Sequence, residues 1–247
     1  MELADIEIVQ DQGEACRCTE GFLRVRRLVV RNRYQDGERS EPYACDIVER
    51  RQVDAVAIAL YEERIVDGRR RVFVALRRGI RAPVFLRRDM EGRGRTEPAH
   101  PAILELVAGV LEADDLGFEG VLHRAAEEAR EEAGLVIEGG DISGLGAPFF
   151  PSPGITPEMV YLAACAARLD ERGEPEGDGS VMEEGASVEV FELAEAIEMC
   201  RRGEIRDAKT ELGLLRLCGA LGYLPQLDLF VDELPEELRA RHTSLGF

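Results

Sequence analysis

The stretch His123–Leu135, HRAAEEAREEAGL, carries three glutamates on one side of a single predicted helix. An α-helix turns by about 100° per residue, so Glu128 and Glu132 stand one above the other, with Glu131 beside them. Like charges at these spacings destabilise a helix by roughly 0.2–0.5 kcal/mol per pair. Carboxylate oxygens are hard ligands that suit Mg²⁺ or Mn²⁺. The cluster therefore predicts a divalent-cation site, and a solvated acidic face is the alternative.

An apolar stripe along the same helix indicates which side faces the protein interior. Val121, Ala125, Ala129 and Ala133 recur at four-residue spacing, and the glutamates lie along one edge of this stripe. Gly134 follows the last turn and can adopt the left-handed conformation that ends a helix. We therefore expect the carboxylates where the helix meets the body of the protein.

A short strand, Leu104–Gly109, precedes this helix, and the order of strand, glycine turn, loop and acidic helix resembles the Nudix hydrolases. The family signature is a glycine, five residues, a glutamate, seven residues, then arginine-glutamate-aliphatic-any-Glu-Glu-any-Gly-aliphatic. The matching positions here are Glu119, Glu128, Ala129, Glu131, Glu132, Gly134 and Leu135. Two positions differ from the signature. Glu127 stands where arginine is usual, and Gly109 lies ten residues before Glu119, which lengthens the loop by four residues.

The missing arginine removes an ion pair that the resemblance implies, between that arginine and Glu119. Arg124 lies three residues before Glu127 and projects from the helix between Glu128 and Glu131. We expect Arg124 to offset part of the repulsion in the acidic cluster.

Three further segments are similar to the ADP-ribose pyrophosphatase branch of that family. LELVAG at Leu104–Gly109 resembles the LELPAG of the branch, FFPSPGITPEMVYLAACA at Phe149–Ala166 resembles its loop and following strand, and GEIRDAKTELGLL at Gly203–Leu215 resembles its C-terminal helix entry. The similarity runs from about Val53 to Leu217. An ordinary capped helix beginning at Asp207 is the alternative explanation for the last segment.

The resemblance implies roles for particular residues. Mg²⁺, or Mn²⁺ in its place, is expected on Glu128, Glu131 and Glu132 together with the carbonyl of Ala108. Arg78 and Arg81 match arginines that contact substrate phosphates and ribose, a task that suits the guanidinium fork. Catalytic roles fall to Glu128 and to a general base in the acidic loop, with Glu184 as first candidate and its neighbour Glu183 as competitor.

Mixed strands and helices predict an α+β protein, and the resemblance implies the Nudix fold, a mixed sheet sandwiched between helices. Three regions are expected, namely an N-terminal antiparallel sheet in residues 1–50, the hydrolase domain in 51–222, and a tail in 223–247. Val53–Glu63 and Arg70–Ile80 should form strands joined by a turn at Asp67–Gly68. Pro83–Arg88 is expected to extend the second strand or to begin another. The resemblance also implies a homodimer formed through the N-terminal sheet.

Composition excludes some classes of protein. The 247 residues include 49 acidic and 31 basic side chains, a formal net charge of −18, which disfavours binding to a nucleic-acid backbone. No apolar run reaches the length of a membrane span, and the first residues lack the basic and apolar regions of a signal peptide. We expect a cytoplasmic protein.

The sequence thus predicts Mg²⁺-dependent hydrolysis of the pyrophosphate bond in a nucleoside diphosphate derivative. ADP-ribose, giving AMP and ribose 5-phosphate, is the expected substrate, and a nucleotide sugar is the nearest alternative. The alternative from another class is a domain that binds nucleotides without cleaving them, since Glu127 and the longer loop depart from the signature.

Overall fold

The structure, a computed structural model, describes residues 21–91, 102–177 and 185–244. The strands in these ranges are β1 (Arg24–Val30), β2 (Tyr43–Glu49), β3 (Ala55–Val66), β4 (Arg69–Gly79), β5 (Ile103–Glu105), β6 (Val107–Val110), β7 (Ile142–Gly144), β8 (Val160–Ala166), β9 (Ser187–Glu192), β10 (Tyr223–Leu224) and β11 (Leu229–Phe230). The α-helices are α1 (Ala82–Leu86), α2 (Gly117–Ala133), α3 (Leu193–Arg202), α4 (Ala208–Leu221) and α5 (Glu236–Ser244). No helix of the described ranges is long and apolar enough to cross a bilayer.

A seven-stranded mixed sheet, counted over the described residues, forms the centre of the fold. Five of its strands follow the order β5-β4-β3-β8-β7, while β6 pairs with β3 and β9 pairs with β4. β3 runs parallel to β8 and antiparallel to β4. Because β3 is paired on both edges by main-chain hydrogen bonds, its apolar first half can be buried, and Val56, Ala57 and Ile58 are at most 1% exposed.

The hairpin between β3 and β4 turns at Asp67 and Gly68, as the sequence predicts. Both residues have positive φ, 51° and 75°, which a two-residue type I′ turn requires and which Asp-Gly tolerates well. β3 extends to Val66, three residues past its predicted end.

The segment Leu104–Gly109 forms two short strands instead of one. β5 pairs with β4, whereas β6 pairs with β3, so the chain changes partner strand at Leu106. This change brings the end of β6, at Ala108 and Gly109, opposite the start of β3. The candidate active site lies at this strand end.

Helices cover both faces of the sheet, as expected for this α+β architecture. On one face, Val121, Ala125, Ala129 and Ala133 of α2 are at most 3% exposed and belong to one apolar core with β3 and β8. On the other face, α3 and α4 contribute to a second core with β4 and β8. The predicted apolar stripe of α2 is therefore the buried one, and Gly134 ends this helix with a φ of 65°.

The expectation of a strand at Pro83–Arg88 is wrong. These residues form α1 and a short 3-10 turn at Arg87–Asp89. Pro83 lies in the first turn of α1, where its fixed φ is compatible with a helix and its missing N–H has no partner to lose. Phe85 is 3% exposed and anchors this turn in the protein.

The N-terminal part of the described chain is a two-stranded antiparallel ribbon of β1 and β2, as the sequence predicts. No residue of either strand is buried. The amide of Val48 donates to the carbonyl of Ile155 over 2.8 Å and so connects the ribbon to the main body.

The segment after Gly222 packs on the main core, although the sequence indicates only a separate tail. β10 and β11 form an antiparallel hairpin in which Tyr223 and Phe230 stack with ring centroids 5.1 Å apart. Both residues belong to the core on the α3 and α4 face. The guanidinium of Arg70 lies 3.4 Å from the Phe230 ring centroid, a cation–π contact between β4 and this hairpin.

Thr210 in the first turn of α4 offers a test of how this helix is fixed to the sheet. Its fully buried hydroxyl accepts a 2.8 Å hydrogen bond from the amide of Leu106 and donates to Asp207 over 2.6 Å. Thr210→Val keeps the shape but leaves the buried Leu106 amide without a partner, so we expect a loss of about 1–3 kcal/mol in the free energy of unfolding. Urea denaturation measures it.

Thr156→Val is the matched control, because the Thr156 hydroxyl accepts from the amide of Glu158 in a partly buried loop. Its loss should be under about 1 kcal/mol, since water can replace that hydrogen bond. Equal losses in the two variants would contradict a special role for Thr210.

Candidate active site

Glu128 lies directly against the end of β6 because residue 109 is a glycine. A Cβ built on Gly109 would lie 1.6 Å from Oε1 and 2.6 Å from Cγ of Glu128. No residue with a Cβ fits at position 109 while Glu128 keeps this conformation. Because Gly109 has no side chain, the Glu128 carboxylate can lie against the backbone at the end of β6.

Glu132 reaches the same strand end, one helical turn further along α2. It is 7% exposed, and its Oε2 accepts a 3.1 Å hydrogen bond from the amide of Ala108. Its Oε1 lies 3.3 Å from Nε of Arg77, which is itself only 3% exposed. Glu128 and Glu132 thus meet at Ala108 and Gly109, two of the positions that the sequence singles out.

Glu131 has different neighbours. Its Oε1 lies 3.2 Å from Nη2 of Arg130, and Arg130 also pairs with Glu176. The carbonyl of Glu131 accepts a 2.8 Å hydrogen bond from the amide of Gly177. Over residues 21–91, 102–177 and 185–244, no three or more Asp, Glu, His or Cys side chains form a group that could hold a metal ion. The three helical carboxylates of Glu128, Glu131 and Glu132 therefore stay a prediction as a ligand set.

The atoms at the end of β6 nevertheless fit a magnesium ion. Mg²⁺ keeps several of its waters in proteins and is commonly held by one or two carboxylates plus substrate phosphates. Glu128 and Glu132 supply two carboxylates, and the Ala108 carbonyl, predicted as a further ligand, belongs to the same strand end. Each carboxylate oxygen has two lone pairs, so the hydrogen bonds to Glu132 leave acceptor capacity for a cation.

Arg124 does not act as the sequence argument expects. It forms ion pairs with Asp115 at 3.0 Å, Glu127 at 3.2 Å and Glu112 at 3.5 Å. Asp115 and Glu112 belong to the lengthened loop before α2, so Arg124 holds this loop against the helix. Its partner Glu127 is the residue that replaces the signature arginine.

A cavity of about 560 Å³ adjoins α2 away from the predicted ligands. Its lining includes Glu119, His123, Glu127 and Arg130, with apolar side chains between them. Glu119 is exposed there, and neither Glu128 nor Glu132 lines the cavity. This pocket beside the acidic helix is therefore separate from the carboxylates at β6.

Glu105, the glutamate of the LELVAG segment, lies at the centre of a buried charge network. It is 2% exposed and accepts hydrogen bonds from Nε of Arg81 at 2.7 Å and Nζ of Lys209 at 2.8 Å. Nη1 of Arg77 lies 3.6 Å away, directly across from Glu105 in the β4–β5 register. Lys209 also pairs with Asp207 at 2.9 Å. Three segments distant in sequence thus meet around one carboxylate.

The protonation states in this network follow from burial and pairing. Burial alone would raise the pKa of Glu105, but the charges and hydrogen bonds of Lys209 and Arg81 outweigh it and hold this pKa below its ordinary value. Burial alone would lower the pKa of Lys209, yet Glu105 and Asp207 raise it. Both groups therefore stay charged at neutral pH.

The two arginines predicted to contact substrate both have acidic partners. Arg78 forms a bidentate pair with Glu189 of β9, and its side chain is 40% exposed. Arg81 pairs with Glu105 and is 37% exposed. The structure leaves both guanidinium groups partly accessible to a ligand, and their contact with substrate stays a prediction. Glu183 and Glu184, the candidate general bases, lie outside the described residues.

Sequence reasoning missed the role of Arg77. Side chains alternate along a strand, so Arg77 shares a face with Phe73 and Ala75, the face that packs against α2. An arginine in phase with apolar residues of a strand is a signal of a buried ion pair. Arg78, its neighbour in the sequence, is the arginine that matches the resembling pyrophosphatase branch.

Lys209→Met tests the charge network through its pH dependence. The variant should lose about 1.5–3 kcal/mol of unfolding free energy at pH 7, because Glu105 loses one charged hydrogen-bond donor. Since the pKa of Glu105 is lowered in the folded state, this contribution is present above the ordinary value of 4.5 and is lost as pH falls through the folded pKa. The difference from wild type should therefore shrink as the pH falls below 4.5.

Urea denaturation between pH 3 and pH 9 measures this difference. Arg202→Met is the control, because the pair of Arg202 with Glu204 is solvent-exposed and should contribute little to the free energy of unfolding at any pH. A Lys209→Met penalty as large at pH 3 as at pH 7 would show that packing, not charge, accounts for the loss.

Comparison with known proteins supports the fold. No protein-family model matches the chain, and no curated protein sequence matches it. A solved structure described as "Crystal structure of ADP compounds hydrolase" is similar with a TM-score of 0.53 and 15% sequence identity, over 81% of this chain and 93% of that chain. At this identity the likeness shows the fold alone. It confirms the predicted α+β fold, a mixed central sheet between helices with a small antiparallel sheet.

Proposed function

We propose that the protein is a Mg²⁺-dependent hydrolase that cleaves the pyrophosphate bond of a nucleoside diphosphate derivative, with ADP-ribose as the substrate. The products are AMP and ribose 5-phosphate, and Mn²⁺ can take the place of Mg²⁺. The observation that carries the proposal is the meeting of the Glu128 and Glu132 carboxylates at Ala108 and Gly109. The description of a structure with the same fold as a hydrolase of ADP compounds supports the substrate class.

Each part of the site has a task in this proposal. Glu128, Glu132 and the Ala108 carbonyl would hold the cation, with Glu131 as the remaining ligand candidate of the helix. These groups would hold Mg²⁺, which would supply neutralisation of the phosphate charge and activation of a water molecule. Arg78 and Arg81 would bind the phosphate and ribose oxygens through their guanidinium forks. Glu184, or its neighbour Glu183, would accept the proton of the attacking water.

The direct test is incubation of the protein with ADP-ribose and Mg²⁺, followed by chromatographic detection of AMP. We expect AMP to form in the presence of Mg²⁺ and not in the presence of EDTA. Binding of ADP-ribose without AMP would favour the non-catalytic alternative. If the protein cleaves a nucleotide sugar faster than ADP-ribose in a panel of substrates, nucleotide sugars are the substrate class instead.

Two variants distinguish a loss of activity at the site from a loss of fold stability. Glu128→Gln should lower the rate by about 100-fold, since one metal ligand loses its charge. Gly109→Ala should also lower it by about 10-fold or more, because the new Cβ displaces the Glu128 carboxylate. The free energy of unfolding of Gly109→Ala should change by less than about 1 kcal/mol, since a side-chain end moves more easily than backbone.

Gly219→Ala is the matched control for Gly109→Ala. Gly219 lies in α4, and a Cβ there meets nothing within 4 Å. This variant should keep full activity and gain up to about 1 kcal/mol of stability, because alanine favours a helix. Wild-type activity in Gly109→Ala would contradict the placement of Glu128 in the site.

The N-terminal ribbon supports a homodimer within the same proposal. An isolated pair of strands is marginally stable in water, and this ribbon exposes Val29 at 78%, while Phe22 just before β1 is 73% exposed. A second copy of the chain would cover these side chains. Cytoplasmic location and the absence of nucleic-acid and membrane partners stay predictions.

Val29→Asp should convert the dimer to a monomer in size-exclusion chromatography with light scattering, because it places a charge in the apolar contact. Ile65→Asp at the far end of β3 is the control, since Ile65 is similarly exposed at 73% and lies outside the ribbon. A wild-type protein that elutes as a monomer at micromolar concentration would contradict the dimer.

A further inference from the structure

The acidic helix lacks the arginine that its family signature places next to Glu128. The residue at that position, Glu127, lies 3.2 Å from Arg124, and Arg124 also binds the loop before the helix. The guanidinium of Arg124 is therefore directed toward Glu127 and the loop. Glu132 instead lies against the end of β6, where it accepts from the Ala108 amide.

Arg77 of β4 reaches Glu132 from the sheet. Its guanidinium is 3% exposed and lies between two buried carboxylates, with Nε 3.3 Å from Glu132 and Nη1 3.6 Å from Glu105. The other oxygen of Glu132 accepts from the Ala108 amide. Each oxygen of the Glu132 carboxylate therefore has a fixed donor from a different strand, and the side chain is held in one orientation.

The neighbouring residues leave room for this guanidinium and hold it in place. A Cβ built on Gly79 would lie 3.0 Å from Nη1 of Arg77, which is tighter than most contacts of a real Cβ. On the far side, Glu105 is fixed by Arg81 and Lys209. Arg77 is thus enclosed by a small residue and by a carboxylate whose own position is set by two other cations.

We propose that Arg77 is the positioning residue of the site, which orients the Glu132 carboxylate for a divalent cation. This role rests on the proposed function, because it concerns the same cation site. The planar fork of arginine can pair with Glu132 and Glu105 at once, whereas the single ammonium of lysine cannot span both. Groups that orient metal ligands commonly change metal affinity by about 10–100-fold when they are altered.

Arg77→Lys tests the role because it keeps the charge and removes the fork. We expect it to weaken Mn²⁺ binding by about 10-fold or more, measured by isothermal titration calorimetry on the folded protein without substrate. The turnover of ADP-ribose by Arg77→Lys should be closer to the wild-type value at saturating Mn²⁺ than at limiting Mn²⁺. A residue that only stabilises the fold would leave both measurements near wild type.

Arg71→Lys is the matched control on the same strand. Arg71 also has two acidic partners, Glu192 at 2.9 Å and Asp228 at 2.5 Å, but it lies at the other end of β4. It should lower the thermal midpoint without changing Mn²⁺ affinity by more than about twofold, because its partners are not candidate ligands.

Gly79→Ala provides an independent variant should Arg77→Lys fail to fold. The added methyl group presses on Nη1 of Arg77 and leaves every charge in place, so Mn²⁺ affinity should fall by about threefold or more. Wild-type affinity in the folded variants at both positions would overturn the role of Arg77 while the proposed hydrolase stands. A wild-type protein that neither binds Mn²⁺ nor cleaves ADP-ribose would overturn both proposals together.

Discussion

The buried guanidinium of Arg77, held between the carboxylates of Glu105 and Glu132, is the interaction on which the site depends. Charges this deeply buried have lost most of their hydration, which is expensive unless every charge is paired. Removing one partner from such a group leaves a buried charge without full compensation. The need to pair Glu105 accounts for Arg81 and Lys209, and Lys209 is the only lysine in the chain. The network therefore fixes β4, β5, α2 and α4 relative to one another.

Local patterns made the elements around the site predictable. The four-residue spacing of small apolar residues in α2 determines its buried face, and Gly134 ends it through a left-handed conformation that glycine adopts at little cost. Asp67 and Gly68 define the β3–β4 hairpin in the same way. The prediction of a strand at Pro83 was wrong because an apolar run after a proline is compatible with the start of a strand as well as of a helix.

Charge pairing was not predictable, because it depends on residues that are distant in sequence. Arg124 has acidic neighbours on its own helix, yet two of its ion pairs are with the preceding loop. Arg77 and Arg78 are adjacent in sequence but lie on opposite faces of β4, so one pairs with α2 and the other with β9. Strand alternation predicts this division, but only the sheet register identifies Glu105 as the partner opposite Arg77.

Two glycines of the candidate site leave the space in which its charged side chains are held. Gly109 admits the Glu128 carboxylate, and Gly79 admits the guanidinium that holds Glu132. Neither position requires a positive φ, so both act by leaving space and not by backbone freedom. The cation that pairs with Glu132 comes from the sheet and not from its own helix. The order of this carboxylate therefore depends on an opposing strand that supplies both an arginine and the space to accommodate it.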